Sequence, residues 1–213
     1  MIKAVIWDFG GVFTASPFDA FRDHEAAHGL PRDFLRTLNA TNPDTNAWAR
    51  FERSEIDLAT FDTAFAAEAR AAGHEVRGTE IIRLLAGPIR PRMVAALKRC
   101  REHLATACIT NNVAAGAGPG ITFDRQRTRA VAEVMALFDV VLESSRVGIR
   151  KPDPEIYRLA CARLGVAPAE AVYLDDLGIN LKPARALGMT TIKVADPDQA
   201  LAELAQVLDL AFV

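Results

Sequence analysis

The chain is short of several features that would point directly to a function. Only three cysteines occur in 213 residues, Cys100, Cys108 and Cys161, widely spaced and with no CxxC pair. That argues against a disulfide framework or a structural zinc site, and it leads us to expect a reducing compartment. Basic residues are not in excess: 25 Lys and Arg stand against 27 Asp and Glu, a formal net charge of −2. Nothing in that balance favours nucleic acid or an anionic membrane as a partner. No apolar run approaches the roughly 18 residues that a membrane span requires. The N-terminus lacks a basic segment ahead of a long apolar one, so no signal peptide is expected. The expectation is a soluble, cytoplasmic protein.

What is present is globular in character, with 50% hydrophobic and 24% charged residues. The length suits one domain with a substantial insertion, or two small domains. Five short runs rich in Val and Ile read as buried parallel strands: Lys3 to Trp7, Thr106 to Thr110, Val140 to Glu143, Ala171 to Asp175, and Thr191 to Val194. Helical patterns separate them, as a parallel α/β sheet requires. "KPDPEIYRLACARLG" is the clearest: Asp153 suits the N-cap, Pro154 the first turn and Gly165 the end. Ile156, Leu159, Ala160 and Leu164 mark its apolar stripe. "PRMVAALKRCREH" and "NLKPARALG" supply two more crossover helices.

Residues 16–86 differ in kind. Phe18 and Phe21, Phe34, Leu35 and Leu38, Phe61, Ala64 and Phe65, and Ile81, Ile82 and Leu85 recur at helical spacing, and no strand pattern interrupts them. A helical module of about 70 residues therefore follows the first strand. An insertion at that point hangs over the carboxyl edge of the sheet, where lids are found. "NNVAAGAGPGITFDRQ" reads as a mobile loop. Its G-x-G lacks the third glycine of a dinucleotide fingerprint and follows the wrong strand.

The polar residues at the strand ends carry the chemistry. The first strand runs into Asp8 and the turn "WDFGGV", and the second ends at Thr110, Asn111 and Asn112. Lys151 lies beyond the third, and the fourth ends in Asp175 and Asp176. Open α/β sheets bind ligands outside these carboxyl ends. Clustered carboxylates call for a hard cation such as Mg²⁺. A lysine and a hydroxyl beside it suit a phosphoryl group.

In this order, "DxxGV … TNN … KPDP … LDD" resembles the haloacid dehalogenase superfamily of hydrolases, most of them Mg²⁺-dependent phosphatases. The segment from Phe138 to Val194 is most similar to the phosphatase-like N-terminal domain of soluble epoxide hydrolases and to a domain fused to some acyl-CoA dehydrogenases. The resemblance implies a Rossmann-like core (1–15 and 87–213) with a helical cap (16–86). It implies that Asp8 attacks phosphorus and forms an aspartyl-phosphate. It places Mg²⁺ on Asp8, the Gly10 carbonyl and Asp176, with Asp175 supporting directly or through water. Thr110 and the Asn111 main chain would hold the phosphoryl oxygens, and Lys151 would offset the charge around Asp8. A small phosphorylated metabolite is the implied substrate.

One position departs from the pattern. The family commonly has an Asp two residues after the nucleophile as general acid and base, and Gly10 stands there. Such a group is worth 10²–10⁴-fold in rate. Substrates with good leaving groups need it least. Relatives that expel halide also lack it, but they use a bulky aromatic and no metal, and the Asp175–Asp176 pair argues against that chemistry here. A second reading is therefore a domain of negligible turnover that binds a phosphorylated ligand or a protein partner. Restoring an Asp at position 10 meets two possible obstacles, a positive φ and crowding by the cap. "HEAAH" (His24 to His28) matches the two-histidine zinc pattern. It lacks the usual extension, and the plainer reading is a solvated helix face, although Glu52 or Glu55 could in principle add a third ligand. Trp48, Glu52 and Arg53 are the cap residues to weigh as facing a substrate, against ordinary packing and ion pairing.

Overall fold

The computed structural model describes residues 1–85, 87–112 and 125–212, so most of the loop reading above lies outside the described residues. Five strands form one parallel sheet: β1 (Ala4–Trp7), β2 (Ala105–Thr110), β3 (Val140–Glu143), β4 (Ala171–Asp175) and β5 (Thr190–Lys193), in the order β3-β2-β1-β4-β5. β1 is central and buried on both faces. Val5 and Trp7 join one core layer, and Ala4 and Ile6 the other, as strand alternation dictates. This is the expected α/β, Rossmann-like class.

Within residues 16–85, after β1, the chain forms five helices: α1 (Pro17–Ala27), α2 (Phe34–Ala40), α3 (Ala47–Glu52), α4 (Leu58–Ala71) and α5 (Gly78–Leu84). They enclose their own apolar cluster, in which Phe51 and Phe61 stack with centroids 4.4 Å apart. The chain leaves and re-enters the sheet domain side by side. Thr14 bridges Ile89, Ala15 N donates to Pro88 O at 3.0 Å and Arg90 N to Phe13 O at 2.7 Å. This double crossing ties the helical unit to the end of β1.

The remaining helices are α6 (Pro91–Arg101), α7 (Arg125–Met135), α8 (Ser144–Val147), α9 (Pro154–Leu164), α10 (Gly178–Ala186) and α11 (Pro197–Leu208). α6, α7 and α11 cover the Trp7 face, and α9 and α10 the Ile6 face. α9 begins and ends as its sequence dictates: Asp153 Oδ1 accepts from Glu155 N at 2.9 Å and Gly165 takes φ 69°. Its stripe is rotated from the expected one. Tyr157 and Cys161 are buried, whereas Leu159 and Leu164 are half-buried. The reason is Tyr157, whose hydroxyl donates to Asn180 O at 2.8 Å while its ring packs edge-on against Tyr173. No described helix is long and apolar enough to cross a membrane.

Candidate active site

Strand register assembles the site. Trp7 pairs with Leu174, so the next residues along, Asp8 and Asp175, emerge side by side at the carboxyl edge. Between them lies Lys151, buried to 2% exposure. Its Nζ is 2.8 Å from Asp8 Oδ1 and 2.8 Å from Asp175 Oδ2. Asp8 Oδ1 also accepts from Phe9 N at 2.6 Å.

The three carboxylates are not equivalent. Asp175 is wholly buried and both its oxygens are engaged. Oδ2 accepts from Lys151, the Tyr173 hydroxyl and Asn180, and Oδ1 from Leu177 N at 2.7 Å and from Asn180. Asp176 is half-buried, and its carboxylate rests against Gly11, where a Cβ would meet Oδ2 at 2.2 Å. Gly11 has φ +73°, a conformation that favours glycine. Asp175 anchors the lysine, and Asp176 faces the space beside Asp8.

Electrostatics follow from that geometry. Burial pushes the Asp8 carboxyl well above the usual carboxylate range; Lys151 opposes this, and Asp175 and Asp176 add to it. Burial and then Asp175 push Asp176 up to about 6. Burial disfavours the Lys151 charge, yet Asp175 and Asp8 outweigh it and hold the ammonium firmly protonated. One cation thus faces three acids whose ligand oxygens all lie within 4.8 Å of one another. Arg90 adds only the weakest of the pulls on Asp176, so negative charge is still in excess, and the hard oxygens fit a divalent cation such as Mg²⁺. Among the described residues, this is the one set of three such side chains close enough to hold a metal.

The residues expected at β2 lie beside this cluster. Thr110 is buried, and its hydroxyl has no partner among the described residues. Asn111 holds the backbone of residue 151: its Nδ2 donates to Lys151 O at 3.0 Å, and its Oδ1 accepts from Lys151 N at 2.8 Å. Gly10 is exposed, lies outside the left-handed region, and a Cβ there would meet nothing within 4 Å. The first obstacle, a positive φ, is absent, and a Cβ at position 10 meets no crowding.

The other candidates separate cleanly. In "HEAAH" the rings of His24 and His28 stack at 4.0 Å, and no third ligand joins them among the described residues. The solvated-face reading fails for Glu25. It is buried and accepts from Asp33 N and Leu35 N, both at 2.9 Å, because α2 has no side-chain cap of its own. Arg53 pairs with Glu55 and donates to Asp44 O, within the helical unit. Trp48 Nε1 donates to Glu52 Oε1 at 3.0 Å, and Glu52 in turn reaches the sheet domain. Tyr173, Asn180 and Arg150 were not singled out from sequence. Tyr173 was findable, since it lies two residues before Asp175 and so shares its face. Arg150 carried no such signal.

A family model for haloacid dehalogenase-like hydrolases matches residues 2–188. The chain is 35% identical over 213 residues to mouse acyl-CoA dehydrogenase family member 10, covering 97% of this chain and 19% of that protein. It is 30% identical to mouse bifunctional epoxide hydrolase 2, covering 99% and 40%. It therefore spans well under half the length of these two relatives. A sesquiterpene phosphatase of Aspergillus oryzae is 27% identical over 97% of this chain and 96% of its own length. Among solved structures, a HAD family enzyme of Bacteroides thetaiotaomicron in complex with magnesium and inorganic phosphate has a TM-score of 0.58. It is 21% identical and covers 91% of this chain and 94% of that one.

Proposed function

The chain belongs to the haloacid dehalogenase-like hydrolases, and on that premise we propose that it is a Mg²⁺-dependent phosphatase of a small phosphorylated metabolite. The observation that carries this reading is the buried Lys151 ammonium, 2.8 Å from Asp8 within a cluster of three acids. A dehalogenase needs no cation, so Asp176, which anchors no lysine, would only burden its site with charge. The full-length phosphatase relative and the magnesium–phosphate structure lend further support.

In this reading Asp8 attacks phosphorus, the bond to the leaving oxygen breaks, and an aspartyl-phosphate forms for water to hydrolyse. Thr110 and the Asn111 main chain hold the phosphoryl oxygens, and Lys151 offsets their charge. Mg²⁺, held by Asp8, Asp176 and the Gly10 carbonyl with Asp175 behind, would neutralise the remaining acids and keep Asp8 ionised. The helical unit of residues 16–86 caps the site and selects the substrate. With no side chain at Gly10, the leaving oxygen takes its proton from water, so activated phosphates turn over fastest.

Gly10 also favours a second reading, a family member that binds a phosphorylated ligand and hardly turns it over. A phosphometabolite panel that includes acyl and aryl phosphates, run with and without Mg²⁺, decides between them. Mg²⁺-dependent release of phosphate supports the enzyme. Binding of inorganic phosphate with no turnover of any substrate supports the binding protein.

A further inference from the structure

Glu52 closes α3 in the helical unit, yet its carboxylate is buried against the strand-end site. Oε2 accepts from Arg150 Nε at 2.8 Å and lies 2.6 Å from the second guanidinium nitrogen. Asn111 Nδ2 approaches the same oxygen at 3.4 Å. The Glu52 main-chain carbonyl accepts from Ser144 Oγ at 2.8 Å. One residue of the helical unit thus meets the ends of β2 and β3 and the residue before Lys151.

The next contacts run inward. Asn111 returns two hydrogen bonds to the backbone of Lys151, one to its carbonyl and one from its N–H. These fix both peptide groups of residue 151 and so the direction in which its side chain leaves. The Nζ at its end reaches Asp8 and Asp175. Arg150, covalently joined to Lys151, is held directly by Glu52 and donates also to Pro43 O at 2.9 Å. The Glu52 and Arg150 side chains are only 10% and 19% exposed, so this is not a solvent-screened surface pair.

We propose that Glu52 is a positioning residue: by clamping Asn111 and Arg150 it sets the Lys151 ammonium beside Asp8, so that docking of the helical unit is coupled to the charge balance at the nucleophile. The consequence for turnover rests on the phosphatase reading; the coupling itself does not.

The test compares wild type, Glu52→Gln, Arg150→Gln and the double variant in the full chain. Two quantities are read: kcat/KM on aryl phosphate with saturating Mg²⁺, and hydrogen exchange of the Lys151 amide by NMR, referenced to the Cys108 amide in β2. Removing a charge-assisted contact is expected to lower kcat/KM about 10-fold to 100-fold. Lys151 exchange should quicken about 10-fold or more while Cys108 stays put. The double variant should lose no more than the worse single one, because the two side chains act as a unit. Lys151 exchange unchanged in Glu52→Gln overturns the proposal, and so does acceleration shared equally with Cys108, which would mark a structural role only. A wild type inactive on every phosphate would sink the phosphatase reading instead, and the exchange measurement would still decide the coupling. Should Glu52→Gln fail to fold, Glu52→Asp keeps the carboxylate, pulls it back by one methylene and is read in the same way.

Discussion

The Asp176 carboxylate lies against the bare Cα of Gly11, so close that a Cβ there would come within 2.2 Å of Oδ2. Of the two glycines in the turn, Gly11 is the one that must remain glycine. Gly10 next to it faces open space with φ outside the left-handed region.

Substitution by alanine should separate the two. Gly11→Ala is expected to cost about 1 kcal/mol or more from φ alone, with a further cost as Asp176 is displaced. It should also lose most of the rise in melting temperature that Mg²⁺ gives. Gly10→Ala should stay within about 0.5 kcal/mol of wild type and keep the Mg²⁺ response. Thermal melts with and without Mg²⁺ check both. Equal destabilisation by the two variants would contradict the placement of Asp176.

Gly10→Asp should raise turnover of an alkyl phosphate more than of an aryl phosphate, because only the former's leaving oxygen needs a proton. The ceiling is 10²–10⁴-fold, and a grafted carboxylate is expected to recover part of it. Steady-state rates on both substrates at saturating Mg²⁺ give the answer. Equal gains on the two would remove the acid–base explanation.

Asp8→Asn should abolish turnover, by at least about 10³-fold, and change the pH response of the metal-free protein. The sign follows from Asp176, whose carboxyl moves from 3.8 up to about 6 through burial and Asp175. The folded state then holds the proton more tightly than the unfolded state. Metal-free stability therefore falls as pH rises from about 4 through about 6. Asp8, raised for the same reasons, deepens that fall. Asp8→Asn should flatten it, and added Mg²⁺ should stabilise wild type more at neutral pH than at pH 4. Denaturant melts across this range measure both effects. A metal-free stability that climbs between pH 4 and 6 would refute the charge balance drawn for the site.

In the helical unit, Asp62 joins α4 to the start of α5. It pairs with Arg77 and accepts from Thr79 N at 2.9 Å and Thr79 Oγ1 at 3.0 Å. The Arg77 hydrogen bond, aided by Thr79 against the cost of burial, lowers its carboxyl to about 2 from the usual 3.8. That stabilisation is complete above pH 3.8 and disappears as pH falls towards 2. Asp62→Ala should cost about 1.5–3 kcal/mol at neutral pH, roughly 5 °C in melting temperature. The gap to wild type should close in acid. A gap that persists at pH 2 would mean that packing, not charge, is what Asp62 supplies.

Much of the site was legible because a parallel sheet sends every strand's carboxyl end to one edge. Chain direction therefore brought Asp8, Thr110, Asp175 and Asp176 to that edge without coordinates, and Lys151 was legible only from its place between the third strand and the start of α9. Period 3.6 likewise exposed the helical insertion, and cap chemistry marked both ends of α9. All of these are properties of neighbouring residues. The roles of polar side chains within the site are not. Glu25 reads as one more charge on the outer face of α1, until α2 folds back and presents its uncapped N-terminus. Asp175 and Asp176 are alike in sequence, yet one is saturated by Tyr173, Asn180, Leu177 and Lys151 while the other stays open. Glu52 meets Asn111 across 59 residues and Arg150 across 98. Hydrogen-bond partners are chosen by proximity in space, and no local period encodes a separation of that length. By itself the sequence determined which residues reach the carboxyl edge; the tertiary structure alone decided which of them hold one another, because that depends on how the helical unit docks.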